Sequence, residues 1–328
     1  MLYSVYSWPN VIQPFVGGFI IDNYLGVRGG SLLCSVFVAA GVLIVAVAST
    51  LHGGVDATLP FALALTGRFV FGLGGECLTV TQNVFCSKWF REHSMALAFA
   101  IVLSFSRVGS AVNFALEPSV SEVFNFSAAL WLSFILTSVS VVACLLLGVL
   151  DRRGERQGAV QPASTGEEVS IGALREVMRL DAFLIYAICT LFYSAIFTFV
   201  AIALQFFEVK YGKNQGYLAS LPYTVSACVS PLLGLGLDRV GYPLTWVTIA
   251  SVSLVGVHTT LAATQIPPVV AMVWLGFTYS LCAAALWPML AYVIDERQLG
   301  SGYGLMTAMQ ARALIATPLS CKLLLLTP

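Results

Sequence analysis

Gly67-Arg68-Phe69-Val70-Phe71-Gly72-Leu73-Gly74-Gly75-Glu76 sets a base, an acid and four glycines inside an apolar run. Both charges have to be accounted for. A charged side chain near the middle of a bilayer costs at least ~2.5 kcal/mol, and it persists where it faces a partner, a cavity or a substrate. The glycines have a simpler use, since Gly72 and the Gly74-Gly75 pair let a neighbouring helix approach backbone to backbone.

Outward from this stretch the chain stays apolar. Of its 328 residues 58% are hydrophobic and 10% are charged, against about 25% charged in soluble domains. An all-α polytopic membrane protein follows, because a helix satisfies its own backbone hydrogen bonds in lipid. Sixteen basic residues balance sixteen acidic ones, so no global field recruits a nucleic-acid partner. The eight cysteines lie in or beside apolar runs with no CxxC pair, and they read as small buried residues rather than a disulfide framework or a metal site. His52, His93 and His258 are isolated from one another and from any triad-like nucleophile, so an enzyme is not expected. Gly72 to Gly75 lack the Lys-Ser/Thr of a phosphate loop, and no nucleotide or other cofactor is expected.

Ten apolar segments are long enough to cross ~30 Å of hydrocarbon: near 1–21, 30–50, 60–86, 94–115, 128–150, 182–207, 217–237, 243–264, 268–294 and 301–320. They divide into an N-terminal bundle over 1–150, a polar linker over 151–181 and a C-terminal bundle over 182–328. Within the linker, 169–180 carries Ile171, Leu174, Val177 and Met178 at helical spacing, the pattern of a short interfacial helix. Alternate loops place Arg28, Lys88, Arg91, five linker arginines, Arg239 and Arg297 on one side, with Lys210 and Lys213 opposite. The linker side is therefore expected to be cytoplasmic. Residue 1 then lies on the far side, and a further helix is expected to precede it. Asn125-Phe126-Ser127 falls in a non-cytoplasmic loop, compatible with glycosylation. Pro9, Pro222 and Pro288 are expected to free carbonyls in bent helices.

The halves repeat. Pro14, Gly18 and Asp22 close the first span, and Pro231, Gly234 and Asp238 close the seventh at nearly the same spacing. A weaker echo joins the region 88–100 to the region 295–304. A duplicated bundle pair with a long linker is the plan of rocker-type secondary transporters.

Gly18-x3-Asp22-x3-Gly26-x-Arg28, with its shorter counterpart Gly234-x3-Asp238-Arg239, resembles the loop motif of the major facilitator superfamily. The resemblance implies that superfamily's two-bundle fold, with about ten of its twelve transmembrane helices present here as helices two to eleven. It also implies gating roles for Asp22, Arg28 and Asp238, the carboxylates pairing with the cations or N-terminal dipole of a neighbouring helix. Ordinary helix-end charges are the alternative. Tyr6-Ser7-Trp8-Pro9-Asn10, the Gly67 to Glu76 stretch, Ser106-Arg107-Val108-Gly109-Ser110 and Ala285-Leu286-Trp287-Pro288-Met289 narrow the resemblance to members that export dipeptides from lysosomes with a glycosylated accessory subunit. The likeness covers 1–310, and the tail 311–328, with Arg312, Pro318 and Lys322, is expected to diverge and to span poorly.

In that order Glu76 and Arg107 fall on adjacent antiparallel helices, about 18 Å and about 24 Å above the Lys88 loop at 1.5 Å per residue. The resemblance makes them the anchors for a peptide's ammonium and carboxylate; a plain salt bridge between two helices is the alternative. Tyr3, Tyr6, Trp8 and Asn10 in the first span, Tyr193 in the sixth, and Tyr279 and Trp287 in the ninth are expected to line the substrate cavity, against an alternative as core or interface aromatics. The expected function is a lysosomal-membrane dipeptide uniporter working by alternating access. A truncated, non-transporting scaffold, or a facilitator for sugars or organic anions, are the competing expectations.

Overall fold

The computed structural model describes residues 9–51, 58–159, 175–212, 218 and 220–326. A 3₁₀ turn, Pro9–Val11, leads into α1 (Gln13–Ile20), a π turn (Ile21–Leu25) and α2 (Gly26–Thr50). There follow α3 (Thr58–Phe90), α4 (Met95–Val123), α5 (Phe126–Arg156), α6 (Leu180–Tyr211), α7 (Leu221–Val240), α8 (Pro243–Ala263), α9 (Pro268–Val293) and α10 (Leu299–Leu326). Among the described residues there is no strand, as lipid requires of a chain that does not close a barrel. Six helical stretches among the described residues are long and apolar enough to cross a membrane by length and composition.

Local chemistry explains where the elements begin and end. Asn125 starts α5 with extended backbone, and its Oδ1 accepts from Ala128 N at 2.7 Å, so the asparagine of the expected glycosylation sequence serves as an N-cap. Lys210 Nζ donates to the carbonyls of Thr264 at 2.8 Å and Ala262 at 3.3 Å, and to that of Leu261. It thereby closes the carbonyl end of α8, where a cation is favoured.

Three differences from the sequence reading have physical causes. The first and second spans are joined by a π turn and Gly26 at φ +65°, a backbone that glycine adopts without strain. Helix α5 runs on past its apolar part to Arg156, because Asp151 and Glu155 find cations on the inward face. Pro222 lies in the first turn of α7, where the missing N–H costs nothing, and the proline inside this helix is Pro231 instead. The carbonyl of Ala227, one turn earlier, accepts from Ser104 Oγ, which satisfies the group a proline frees. Of the expected interfacial helix, 169–174 lie outside the described residues and 175–177 are helical.

Two compact units emerge. The first comprises Met1–Trp89, Phe114–Leu180 and Ile294–Ala311; the second comprises Phe90–Asn113, Asp181–Val293 and Arg312–Pro328. In the first, α2 and α3 cross antiparallel at glycines. A Cβ on Gly41 would come within 2.7 Å of the Gly67 carbonyl, and one on Gly74 would meet the Cys34 carbonyl. Gly67 and Gly74, one heptad apart, therefore both pack closely against α2, and Gly72 between them is buried. Arg68 points to the exposed face. In the second unit α9 is the central helix, packed by α7 and α8, with Met272, Leu275, Leu286 and Leu290 fully buried.

Candidate functional site

Two carboxylates sit at matching places in the repeat. Asp22 accepts from Gly300 N at 2.8 Å, Ser301 N at 2.6 Å and Ser301 Oγ at 2.7 Å at the start of α10. Asp238 accepts from Ala96 N at 2.9 Å and Leu97 N at 2.8 Å at the start of α4. Free N–H groups and the helix dipole both favour an anion there. The glycine four residues before each aspartate permits the approach. A Cβ on Gly18 would strike the Gly300 carbonyl, and one on Gly234 would lie 2.8 Å from the Ala96 carbonyl and 2.9 Å from Leu97 Cα. The weaker echo between 88–100 and 295–304 thus corresponds to the two helix starts that the aspartates cap. A cavity of about 140 Å³ beside the second cap is lined by Arg91, His93, Asp238, Pro288 and Tyr292, among others.

Arg28 joins a separate cluster in the first unit. Its Nη1 lies 2.8 Å from Glu155 and 3.5 Å from Asp151, while Lys88 Nζ reaches both acids at 2.8 Å. Trp89 Nε1 donates to Asp151 at 2.8 Å, and the Asp151 side chain is 0% exposed. Lys88, Asp151 and Glu155 were not singled out as site residues from sequence. Basic and acidic residues at the ends of apolar runs read as loop charges, and only their shared face reveals the cluster.

Arg107, on α4, has aromatic partners in its own unit. Its Nη2 donates to the Tyr279 hydroxyl, and its Cζ lies 4.9 Å from the ring centroids of both Tyr223 and Tyr279. Tyr193 meets the Tyr279 ring edge-on at 5.9 Å, and its hydroxyl accepts from Trp287 Nε1 at 2.8 Å. The guanidinium Nε is buried with no hydrogen-bond partner. Tyr193 and Tyr279 were expected among the cavity aromatics; Tyr223 carries no sequence signal that separates it from a core tyrosine.

Glu76 lies half-buried on α3 in the first unit. Beside it, Gln13 Nε2 on α1 donates to the Leu73 carbonyl and to Cys77 Sγ at 3.1 Å. Asn10 is buried in the 3₁₀ turn, and its Oδ1 has no hydrogen-bond partner, as is also true of Gln13 Oε1. Tyr3, Tyr6 and Trp8 lie outside the described residues. Among the described residues no cluster of His, Cys, Asp and Glu forms a metal site.

The chain matches the family model described as Major Facilitator Superfamily over residues 1–318, which brings part of the tail expected to diverge inside the family match. It is 38% identical to the lysosomal dipeptide transporter MFSD1 of Bos taurus over 323 residues, 94% of this chain and 67% of that protein. The transporter of the same name from Mus musculus is 36% identical over 324 residues, 94% of this chain and 68% of that protein. Among solved structures, the E. coli fucose:proton symporter FucP is similar with a TM-score of 0.73 at 15% identity, over 98% of this chain and 83% of that one. The human organic anion transporter MFSD10 gives a TM-score of 0.66 at 15% identity, over 97% and 75%.

Proposed function

The chain belongs to the major facilitator superfamily, and from that premise we propose that it exports dipeptides across the lysosomal membrane by alternating access, as a uniporter. The observation that carries this reading is its similarity, over nearly its whole length, to transporters named for lysosomal dipeptides. Arg107 is the anchor for the peptide carboxylate and Glu76 the anchor for its ammonium, each charge matched by a group that a zwitterion always carries. Asn10 and Trp287, with Tyr6 and Trp8, are the further substrate contacts of this proposal. Asp22 and Asp238 hold the inner gate through their helix caps, and Arg28 ties the neighbouring helix ends through Asp151 and Glu155. Releasing a cap frees the start of a helix, a discrete change of the kind that switches access. A glycosylated accessory subunit in the same membrane completes the proposed assembly.

Reconstitution into liposomes tests the reading directly. Labelled dipeptide should enter by counterflow against unlabelled dipeptide, and free amino acids, hexoses and monocarboxylates should not compete. Counterflow of a hexose or an organic anion without any of dipeptide would replace this function with a different facilitator. Absence of movement for every solute, in liposomes where the protein is folded and inserted, would favour the scaffold.

A further inference from the structure

We propose that the Tyr279 hydroxyl determines specificity in the carboxylate subsite: a free C-terminal carboxylate binds the Nε/Nη2 edge of Arg107 and also accepts from Tyr279 O–H. This deepens the peptide-transport reading above and rests on it.

Four features of the second unit lead there. A buried Nε–H without an acceptor is costly to keep, and Arg107 Nε is such a group. The neighbouring Nη2 donates to the Tyr279 hydroxyl, and that hydroxyl, having accepted, still has its own proton to give. The Tyr223 and Tyr279 rings, each 4.9 Å from Cζ, stabilise the charge through their faces without using up any N–H donor. Tyr279 is itself fixed by the edge of Tyr193, whose hydroxyl is held by Trp287 at 2.8 Å.

In the proposed arrangement the donors form a row on one edge: Nε–H, Nη2–H and the tyrosine O–H. A guanidinium edge takes two oxygens side by side, so a carboxylate satisfies the row with both of its atoms. A C-terminal amide offers one oxygen and turns an N–H₂ group against the remaining donors. Discrimination between acid and amide is therefore the property that the hydroxyl adds. Sites built to hydrogen-bond a substrate group reject analogues that leave the site's own polar groups unpaired.

The test compares counterflow of dialanine and of dialanine amide by the full chain in liposomes, with the parent and Tyr279→Phe. The phenylalanine keeps the ring against Arg107 and Tyr193 and removes only the hydroxyl. The parent should prefer the free acid, and Tyr279→Phe should raise KM for the acid about tenfold, leave KM for the amide unchanged, and so collapse the preference. A merely packing tyrosine would weaken both substrates alike. Should Tyr279→Phe not fold, Tyr279→His, which keeps a donor, should retain the preference and Tyr279→Met should lose it. Parent transport of dialanine with an undiminished acid preference in the variants lacking a donor overturns the inference and leaves the dipeptide function standing. A parent that moves neither compound overturns both.

Discussion

At the scale of single residues the two capping aspartates make the sharpest claim. Each accepts backbone N–H groups at a helix start, so replacing either by alanine removes both a cap and an anion at the positive end of a dipole. Loss of an N-cap of this kind costs about 1 to 2 kcal/mol, and melting of the detergent-solubilised protein should fall for Asp22→Ala and for Asp238→Ala alike. Asp151 should matter more. Its carboxylate is fully buried against Lys88 and Arg28, and Asp151→Ala leaves the two cations sharing Glu155 and Trp89 Nε1 without its acceptor, a loss that should exceed that of a helix cap and approach the about 3 to 5 kcal/mol of a broken buried pair. A melting temperature lowered no further by Asp151→Ala than by Asp22→Ala would show that the cluster is solvated. The aspartate positions were legible in the sequence because glycine, a three-residue gap and aspartate repeat in both halves. The aromatic partners of Arg107 were less so, since a tyrosine inside an apolar span carries the same signal whether it packs in a core or stacks on a guanidinium.

At the scale of elements, hydropathy and turn residues located the helices well, because each apolar run must close its own hydrogen bonds in lipid. What they missed depends on partners distant in the chain. The π turn before Gly26 and the length of α5 are set by Asp22, Asp151 and Glu155 meeting groups far away in sequence. Close helix approach is likewise invisible until both faces are known, and it yields a paired prediction. A Cβ on Gly234 would lie within 2.6 Å of Ala100 Cβ and 2.8 Å of the Ala96 carbonyl, so Gly234→Val forces α7 away from α4, and folded yield and melting temperature should both drop. Gly148 on α5 has nothing within 4 Å of such a Cβ, and Gly148→Ala should leave melting unchanged or raise it, by up to about 1 kcal/mol of helix propensity. Equal effects of the two substitutions would mean that the α7 and α4 backbones do not depend on this contact.

For the whole molecule, the internal repeat gives each half of the sequence the same device, a glycine and an aspartate one turn apart, and each aspartate holds the start of a helix from the other half of the chain. The proposed transport cycle needs no other energy source if the peptide gradient alone drives it, and that is the last point to decide by measurement. Coupling to one proton across one pH unit would sustain about a tenfold peptide gradient, since each is worth about 1.4 kcal/mol. Uniport sustains none. In liposomes carrying an imposed pH difference, peptide should therefore enter until inside and outside concentrations match, whatever the direction of that difference. Glu76→Gln should slow the approach to this end point, because it removes the charge proposed to meet the peptide ammonium, and it should leave the end point where it was. Accumulation beyond equality that tracks the pH difference and disappears in Glu76→Gln would instead make Glu76 the proton carrier and the protein a symporter or exchanger.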